Sequence, residues 1–438
     1  MNKQVAVIGS GIAGLAAASQ LSAAPGVQVT LFEAEPRCGG HAHTVDVSLP
    51  DTRGQIVTHG VDTGFLVFNR RTYPGLCQLF ETLGVEVAPS DMSFSVQDHA
   101  REGSPLEWSG HTLSTVFAQR SNLLRPAFLG MLRDILRFNR EATALAEGHH
   151  PERLSHRTIG DFLDEHRYGQ AFRNGYLLPM IASIWSCPTR QMLSFPLGTL
   201  VHFCHNHGLL QITNRPQWYT VAGGSRCYVQ KMVDRITEVR TSSPVLGVRR
   251  FGPGQGVEVH SASGAEQFDG AVLACHPDQT LALLGAQATD QERHVLGSIR
   301  FQDNQAVLHT DSALLPSRRA VWAAWNYERS LNPRQEDRQV CLHYLISQLQ
   351  PLPFAEPVIV SLNPVRQPQQ DRVLRRFQYA HPVFDQTALL AQQHLPHLQG
   401  QQDSWFCGAW TGYGFHEDGL RSGLAAAQAV LQRIGRRA

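Results

Sequence analysis

Three glycines near the N-terminus have the spacing of a phosphate-binding turn. Gly9, Gly11 and Gly14 follow a short apolar run and precede an alanine-rich stretch, so they join a predicted buried strand to a predicted helix. In this setting Gly9 permits the tight turn, Gly11 lets a pyrophosphate approach the backbone, and Gly14 lets helix and strand pack closely. Free N–H groups and the dipole at the helix N-terminus attract the phosphates. The pattern predicts a dinucleotide site.

A carboxylate follows at the distance that such a site requires. The run 28–32 predicts the next strand, and Glu33 lies about 20 residues beyond the glycines, where an acid can bind the hydroxyls of the adenosine ribose. A glycine-rich turn that binds no nucleotide is the alternative. The strand, the helix and Glu33 supply the context that a lone glycine motif lacks.

The residues after Glu33 separate nicotinamide from flavin. Arg37 and the pair Gly39-Gly40 are not needed in an NAD site. They resemble the extended motif of flavoproteins in the amine oxidase, phytoene desaturase and protoporphyrinogen oxidase superfamily. In that superfamily the loop passes beneath the diphosphate and ribityl chain, and an arginine can steady the phosphates. The resemblance implies FAD, bound without a covalent link.

The composition limits the class of protein. A chain of 438 residues has room for two or three domains, and a net charge of +1 argues against nucleic-acid binding through a basic field. The first predicted strand begins a few residues after Met1, so we expect no signal peptide. Eight scattered cysteines predict reduced thiols, and no window has the roughly 18 apolar residues of a transmembrane helix. We expect a cytoplasmic protein, at most peripheral to the inner face of the membrane.

The middle of the chain predicts helices around an apolar space. From 122 to about 207 the pattern is helical, and an apolar stripe over 123–138 has its arginines largely on other faces. Such a helix is normally half-buried on its own domain, and a basic amphipathic helix resting on anionic lipid is the alternative. The segments 176–185 and 193–204 are denser in apolar residues and suit the wall of a hydrophobic cavity.

The second half of the chain predicts further helices and strands. The predicted helices are 225–239, 388–394 and 419–434. The predicted strands are 245–251, 256–260, 267–274, 306–309, 321–325, 340–346, 358–362, 375–379 and 405–409. Those between 289 and 398 look like an antiparallel sheet that floors the substrate site.

Two stretches narrow the resemblance. The run 206–225, together with 179–186, closely resembles a bacterial branch of predicted NAD/FAD-binding proteins, which are similar to the flavin-binding N-terminal region of plant cyclopropane fatty acid synthases. The run 405–424 resembles the superfamily's closing motif, in which a final helix points its N-terminus at the flavin. Ala409 departs from that motif, because many relatives carry an acid there.

The resemblance implies an α/β fold, with a Rossmann-like FAD-binding domain of a GR2-type flavoprotein and an inserted α+β substrate domain. The FAD-binding domain would comprise 1–72, 216–288 and 401–438, and the substrate domain 73–215 and 289–400. The implied cofactor contacts are Gly9, Gly11, Ile12, Ala13, Gly14, Glu33, Ala34, Arg37, Gly39, Gly40, His41, Thr63, Gly64, Val245, Gly408, Ala409, Gly419 and Leu420.

The candidate catalytic residues lie beside this site. His416 falls between the last strand and the last helix, at the expected mouth of the flavin pocket, and can act as acid or base near neutral pH. A structural hydrogen bond is the alternative role for His416. Asp62 and His59 are weaker candidates, and Glu417 or Asp418 can cap the last helix.

Other chemistries are disfavoured by the sequence. Neither lysine, Lys3 or Lys231, is placed like the flavin-linked lysine of many amine oxidases, although Trp410 and Tyr413 can form an aromatic pair facing the ring. No third ligand or carboxylate completes a metal site around the histidine clusters at 41–43 and 202–207, so no metal is predicted. Nothing near Cys407 favours a covalent flavin link over a buried thiol.

We therefore predict an FAD-dependent oxidoreductase acting on a hydrophobic substrate, in particular one that oxidises or desaturates a fatty acyl chain of a lipid. An amine oxidase or a carotenoid- or porphyrin-type oxidase is the alternative. A flavin-binding accessory subunit that partners a lipid methyltransferase is the alternative from another class.

Overall fold

The computed structural model describes residues 2–99, 105–148, 157–329 and 339–435. Within these ranges the strands are β1 (Lys3–Ile8), β2 (Val27–Phe32), β3 (Thr44–Pro50), β4 (Ile56–Asp62), β5 (Phe68–Asn69), β6 (Val87–Ser90), β7 (Phe94–Asp98), β8 (Leu106–Ser109), β9 (Trp218–Val221), β10 (Glu238–Arg240), β11 (Val245–Arg250), β12 (Val257–Ser261), β13 (Gly264–Phe268), β14 (Gly270–Leu273), β15 (Phe301–His309), β16 (Trp325–Arg329), β17 (Leu342–Leu345), β18 (Ile359–Leu362), β19 (Val373–Pro382) and β20 (Ser404–Phe406).

The α-helices of the same ranges are α1 (Ile12–Ser22), α2 (Pro74–Leu83), α3 (Leu113–Val116), α4 (Pro126–Glu147), α5 (Ile159–Glu165), α6 (Gln170–Phe172), α7 (Leu178–Trp185), α8 (Leu197–Asn206), α9 (Arg226–Val233), α10 (Pro277–Leu284), α11 (Asp290–Gly297), α12 (Ile346–Leu349), α13 (Gln386–His394) and α14 (His416–Gly435). No helix among these residues is long and apolar enough to cross a bilayer. All eight cysteines are free thiols, as predicted.

A parallel five-stranded sheet carries the nucleotide motif. Its order is β10-β2-β1-β14-β20, so strands from three separated stretches of the chain meet in one sheet. The central strands β1 and β14 are almost continuously apolar where both of their faces are buried, as is typical of parallel sheets. Helix α14 lies directly on α1, since a Cβ on Gly423 would be 2.1 Å from the carbonyl oxygen of Ala13. The end of the chain thus closes over its beginning.

A seven-stranded sheet with the order β19-β15-β18-β17-β16-β7-β8 faces the first sheet's domain. The prediction of an antiparallel sheet is wrong at one point, because β16 pairs in parallel with β7 from an earlier stretch of the chain. The strand predicted at 321–325 is also wrong. A 3₁₀ turn occupies 319–321, and the Asn326 side chain bonds both backbone groups of Ala323, so the strand starts only at Trp325.

Two further predictions, one of a helix and one of a strand, are too long. The helix predicted over 225–239 ends at Val233, because β10 pairs with the outer edge of β2, where the Arg240 guanidinium stacks on Phe32. The strand predicted over 267–274 is split between β13 and β14 at Asp269. That carboxylate accepts bonds from the Gln4 N–H and from Lys3, which fixes the turn. The remaining predicted elements occur with ends shifted by a few residues.

Helix α4 also differs from the prediction of one apolar stripe opposite the arginines. Phe128, Met131 and Phe138 are buried, but Leu129 and Leu136 are exposed to solvent. Their spacing places these two leucines on the same face as Arg133, whose side chain is largely exposed. The solvent face of α4 is therefore both apolar and basic.

Candidate active site

A large cavity of about 820 Å³ lies between the parallel sheet and the seven-stranded sheet. Its size is that of a cofactor or substrate site. One end is lined by the glycine turn after β1, the other by helices and loops of the apolar middle of the chain. Predicted site residues can therefore be compared with the walls of one space.

The glycine turn fits a pyrophosphate at the first end. Gly9 has a φ of +101°, and a Cβ on Gly14 would stand 1.9 Å from the Gly9 carbonyl oxygen, so both positions require glycine for the turn and the packing. A Cβ on Gly11 would meet no protein atom within 4 Å, because Gly11 faces the open cavity at the start of α1. Ile12 and Ala13 line the same cavity, whereas Gly14 does not.

The adenosine end also has the expected carboxylate. Glu33 lines the cavity at the end of β2, and its two oxygens accept bonds from the N–H groups of Ser10 and Glu35, each at 2.9 Å. These bonds hold the carboxylate beside the glycine turn. Ala34 and Val245 line the cavity next to it. The residues present fit the ribose and adenine of FAD.

The loop with the paired glycines presses against the turn. Gly39, Gly40 and His41 line the cavity, and a Cβ on Gly40 would be 3.0 Å from the Gly11 Cα. Arg37 does not line it. Its guanidinium donates to the carbonyl oxygens of Gly40, at 3.0 Å, and Ala42. This arginine therefore holds the loop, and its contact with the phosphates stays a prediction.

The closing segment divides into lining and packing residues. Gly64, Gly408 and Ala409 line the cavity. Gly419 and Leu420 do not, since a Cβ on Gly419 would be 2.7 Å from a side-chain carbon of Ile12, and Leu420 is fully buried. Both pack α14 against the nucleotide turn, and their contact with the cofactor stays a prediction.

Asp62 and Thr63 lie behind the cavity wall. The Asp62 carboxylate accepts bonds from the Ser225 N–H at 3.0 Å, from Gln350 Nε2 at 2.8 Å and from the Thr44 hydroxyl. Thr63 bonds the Tyr379 hydroxyl at 2.6 Å instead of facing the cavity. With its oxygens occupied and no face on the cavity, Asp62 clamps the structure, and its catalytic role stays a prediction.

His416 lines the cavity at the start of α14. Its ring stacks on Phe65 at a centroid distance of 3.7 Å, and its Nε2 lies 3.0 Å from the Tyr228 hydroxyl. Burial lowers the pKa of His416 to about 3, so the ring is neutral at neutral pH. A neutral ring also suits the positive end of the helix dipole. His416 is placed for a role at the cofactor, but as a neutral group.

The two acids after His416 have structural partners. The Glu417 carboxylate accepts bonds from the N–H groups of Gly75 and Leu76, both at 2.9 Å, and so caps α2. Asp418 accepts bonds from the N–H groups of Tyr413 and Phe415 in the loop that leads into α14. Neither acid lines the cavity.

Sequence reasoning missed His381, which lines the middle of the cavity. Tyr379 and His381 alternate along β19, so period-two spacing gives them a common face, and this was the available signal. Strand β19 pairs with β15 over its whole length. That pairing brings Asn304 of β15 beside His381.

A chain of amides fixes the protonation of His381. The Gln305 N–H donates to Asn363 Oδ1 at 2.9 Å, so the Asn363 amide nitrogen is the atom that donates to Asn304 Oδ1 at 2.7 Å. Asn304 must then turn its own amide nitrogen to His381 Nδ1, 2.9 Å away. Nδ1 of His381 is an acceptor, and its Nε2 carries the proton.

His381 presents that proton to His41. Their Nε2 atoms are 3.3 Å apart, so His41 accepts through Nε2 and carries its own proton on Nδ1. Burial lowers the pKa of His381 to about 4 and that of His41 well below its usual range. The two neutral rings form a donor–acceptor pair at the junction between the nucleotide end and the apolar end.

The apolar end of the cavity is aromatic. A π-helical turn, Arg173–Leu177, interrupts the helix between α6 and α7, and Tyr176 within it lines the cavity. The other walls include Trp108, Phe203 and Trp218. Among the described residues of this end, Arg215 is the only one with a formal charge. Such a space suits a long apolar molecule.

The structure also locates the residues of the disfavoured chemistries. Lys231 donates to the last carbonyls of α2 and Lys3 pairs with Asp269, and neither lines the cavity. Trp410 lines the cavity but Tyr413 does not, so they are not a pair facing the ring. Burial raises the pKa of the Cys407 thiol, which favours the unreactive form.

One group of metal-ligand types occurs among the described residues, formed by Glu328, Cys341 and His343. Tyr344 lines the cavity, so its strand neighbour His343 points to the opposite face of the sheet. His343 Nε2 is 2.8 Å from Glu328, which also pairs with Arg366. The bonding of this group is complete without an ion.

Known proteins resemble this chain in sequence and in fold. The sequence profile of the flavin containing amine oxidoreductase family matches residues 12–295. The chain is similar to the carotenoid phi-ring synthase of Streptomyces griseus, with 29% identity over 330 residues, which are 72% of this chain and 59% of that protein. The match thus spans less than two thirds of the relative's length.

Two solved structures share the fold. The cyclohexylamine oxidase of Brevibacterium oxydans superposes with a TM-score of 0.67 at 15% identity over 100% of both chains. A CLA-producing fatty acid isomerase from P. acnes superposes with a TM-score of 0.64 at 14% identity over 98% of both chains. These likenesses support the predicted α/β fold with a Rossmann-like FAD-binding domain.

Proposed function

We propose that the chain, which belongs to the flavin-containing amine oxidoreductase family, is an FAD-dependent oxidoreductase. Its proposed substrate is a lipid whose fatty acyl chain it oxidises or desaturates. The observation that carries this proposal is the apolar end of the cavity, where aromatic and aliphatic side chains form the walls. A long hydrocarbon gains free energy there in proportion to the apolar area removed from water.

The charged residues at the apolar end of the cavity also favour a lipid over an amine. No Asp or Glu lines that end among the described residues, so an ammonium group would lose its hydration without a carboxylate partner. Arg215, which is itself exposed to solvent, can instead pair with a carboxylate or phosphate head group. An amphipathic lipid matches both features.

Each part of the site then has a role. Bound FAD supplies the acceptor for a hydride taken from the acyl chain. The Gly11 turn and Glu33 bind the dinucleotide, and the aromatic walls orient the chain and exclude water. Desaturation also releases a proton from the neighbouring carbon, and we propose that His41 Nε2 takes it only after its bond with His381 opens, because that bond occupies the Nε2 lone pair.

Anaerobic mixing of the flavin-loaded protein with candidate substrates tests the proposal. Acyl phospholipids and free fatty acids should bleach the flavin absorption band, while primary amines of similar length should leave it unchanged. Bleaching by amines alone would overturn the lipid assignment. A preparation that binds no FAD on reconstitution would contradict the family assignment itself.

A polyene is the second candidate. The relative from Streptomyces griseus is a carotenoid ring synthase, and a carotenoid would fit an aromatic cavity as well as an acyl chain does. Bleaching by a carotenoid and not by acyl lipids would favour this candidate. Bleaching by neither class would favour an accessory role beside a lipid methyltransferase, in which the flavin does not turn over.

A further inference from the structure

We propose that a surface beside the mouth of the cavity docks on an anionic lipid bilayer. The docking surface comprises α3, the 3₁₀ turn Arg120–Leu124 and the solvent face of α4. Three properties support a bilayer as its occupant: exposed leucines, an excess of arginine and continuity with the cavity. Binding to lipid does not depend on the reaction that follows.

Several large apolar side chains of the docking surface are exposed to solvent and lie close together in the chain. Leu113 is 80% exposed and Leu124 is 87% exposed, and along α4 Leu129 and Leu136 are 45% and 55% exposed. Scattered apolar residues are common on protein surfaces, but several within one short stretch mark a contact site. Burial of these leucines in the acyl region of a bilayer would remove them from water.

The charge of the docking surface selects an anionic partner. One face of α4 carries two leucines and two arginines at spacings of four, three and four residues: Leu129, Arg133, Leu136 and Arg140. Between positions 108 and 140 the only acid is Asp134, which is buried and accepts a bond from the Gly169 N–H. Leucine and arginine on one helix face, with no exposed acid between positions 108 and 140, match the interface of an anionic membrane. The exposed acid at the far end of α4, Glu147, lies 3.6 Å from His205.

The docking surface adjoins the cavity mouth. His111 lines the cavity, and α3 begins two residues later with the exposed Leu113. Phe128 of α4 packs on Trp108, another lining residue, with ring centroids 6.0 Å apart. On the other rim, Arg215 lines the cavity and Ile212 is exposed. A bilayer against this surface would present acyl chains to the mouth.

Flotation of the full-length, flavin-loaded protein with vesicles tests the proposal. We expect binding to phosphatidylglycerol vesicles, little binding to phosphatidylcholine vesicles, and weaker binding as salt rises. The double variant Leu113→Ser/Leu124→Ser should lower the affinity for phosphatidylglycerol by about tenfold or more. Arg120→Ser and Arg133→Ser should each lower it by about fivefold. None of these side chains lines the cavity, so the flavin content should not change.

A matched double variant controls for the loss of surface leucine and isoleucine in general. Ile56→Ser/Leu390→Ser removes two exposed apolar side chains that lie outside the docking surface, and its vesicle binding should equal that of the wild type. Failure of the wild type to float with phosphatidylglycerol vesicles would overturn the proposal. Equal losses in the control and test variants, or binding that ignores lipid charge, would overturn it as well. None of these outcomes bears on whether the flavin accepts electrons from an acyl chain.

Discussion

Replacement of Asp62 separates a structural clamp from a catalytic group. In Asp62→Ala the Ser225 N–H and Gln350 Nε2 lose their acceptor in a buried setting. The Thr44 and Ser225 hydroxyls also lose theirs, but they lie 3.2 Å apart and can bond each other instead. Each unsatisfied buried donor costs about 1–3 kcal/mol, so the expected loss of unfolding free energy is about 2–6 kcal/mol. Burial raises the pKa of Asp62, which shows that the buried carboxylate is itself costly, and this favours the lower half of that range.

The conservative variant sharpens this prediction. In Asp62→Asn the amide oxygen at the Oδ2 position still accepts from the Ser225 N–H at 3.0 Å and from Gln350 Nε2 at 2.8 Å. The amide nitrogen then faces the Thr44 and Ser225 hydroxyls, which can accept its hydrogens. Gln350 cannot turn over without loss, because its Oε1 accepts the Asp62 N–H at 2.9 Å. Neither buried donor is left without an acceptor, and we expect less than half the loss found in Asp62→Ala.

Urea unfolding and single-turnover flavin reduction together check this reasoning. Both variants should unfold at lower urea concentration, yet the flavin that remains bound should be reduced at a rate within about twofold of wild type. A general base would behave in the opposite way, with a rate lowered by about 10²–10⁴ and little change in stability. That second pattern would refute the clamp.

Three further predictions follow. Gly11→Ala should leave the apoprotein's stability unchanged but weaken FAD binding, measured by flavin titration, because its Cβ meets no protein atom. Gly14→Ala should instead destabilise the apoprotein by about 1–3 kcal/mol, because its Cβ collides with the Gly9 carbonyl oxygen. Burial lowers the pKa of seven of the described histidines, so the native state binds fewer protons than the unfolded state, and urea midpoints should decrease as the pH falls from about 6.5 toward 4. Asn304→Leu should lower the preference of His381 for the Nε2 proton by about fivefold, visible in the ¹⁵N shifts of the ring, while unchanged shifts would contradict the amide chain.

The nucleotide end could be predicted because its determinants are local. The strand, glycine turn, helix and Glu33 occupy one short stretch, where period and turn chemistry are set by neighbouring residues. The roles assigned to Gly11 and Gly14 agree with the space around each of them. Arg37 was assigned by resemblance alone, and its partners are backbone carbonyls that no motif specifies.

The errors occur where distant segments meet. The end of α9 at Val233 is decided by the free edge of β2, some 200 positions earlier in the chain. The parallel pairing of β16 with β7 likewise joins segments more than 200 positions apart. Asp62 looked reactive as a lone acid beside a glycine, but Ser225 and Gln350 come from other segments to satisfy it. His381 was missed because Asn304 and His41 reach it only through the tertiary fold.

The most direct test of the central claim follows the two hydrogens that an acyl chain would lose. A phospholipid with one fully deuterated saturated chain would be mixed anaerobically with the flavin-loaded protein, and the lipid mass and flavin absorbance would be recorded in the same sample. The proposed function predicts loss of one pair of deuterium atoms per flavin bleached, with a new double bond in that chain. Bleaching without any change in lipid mass, or no bleaching by acyl lipids while an amine bleaches fully, would contradict it.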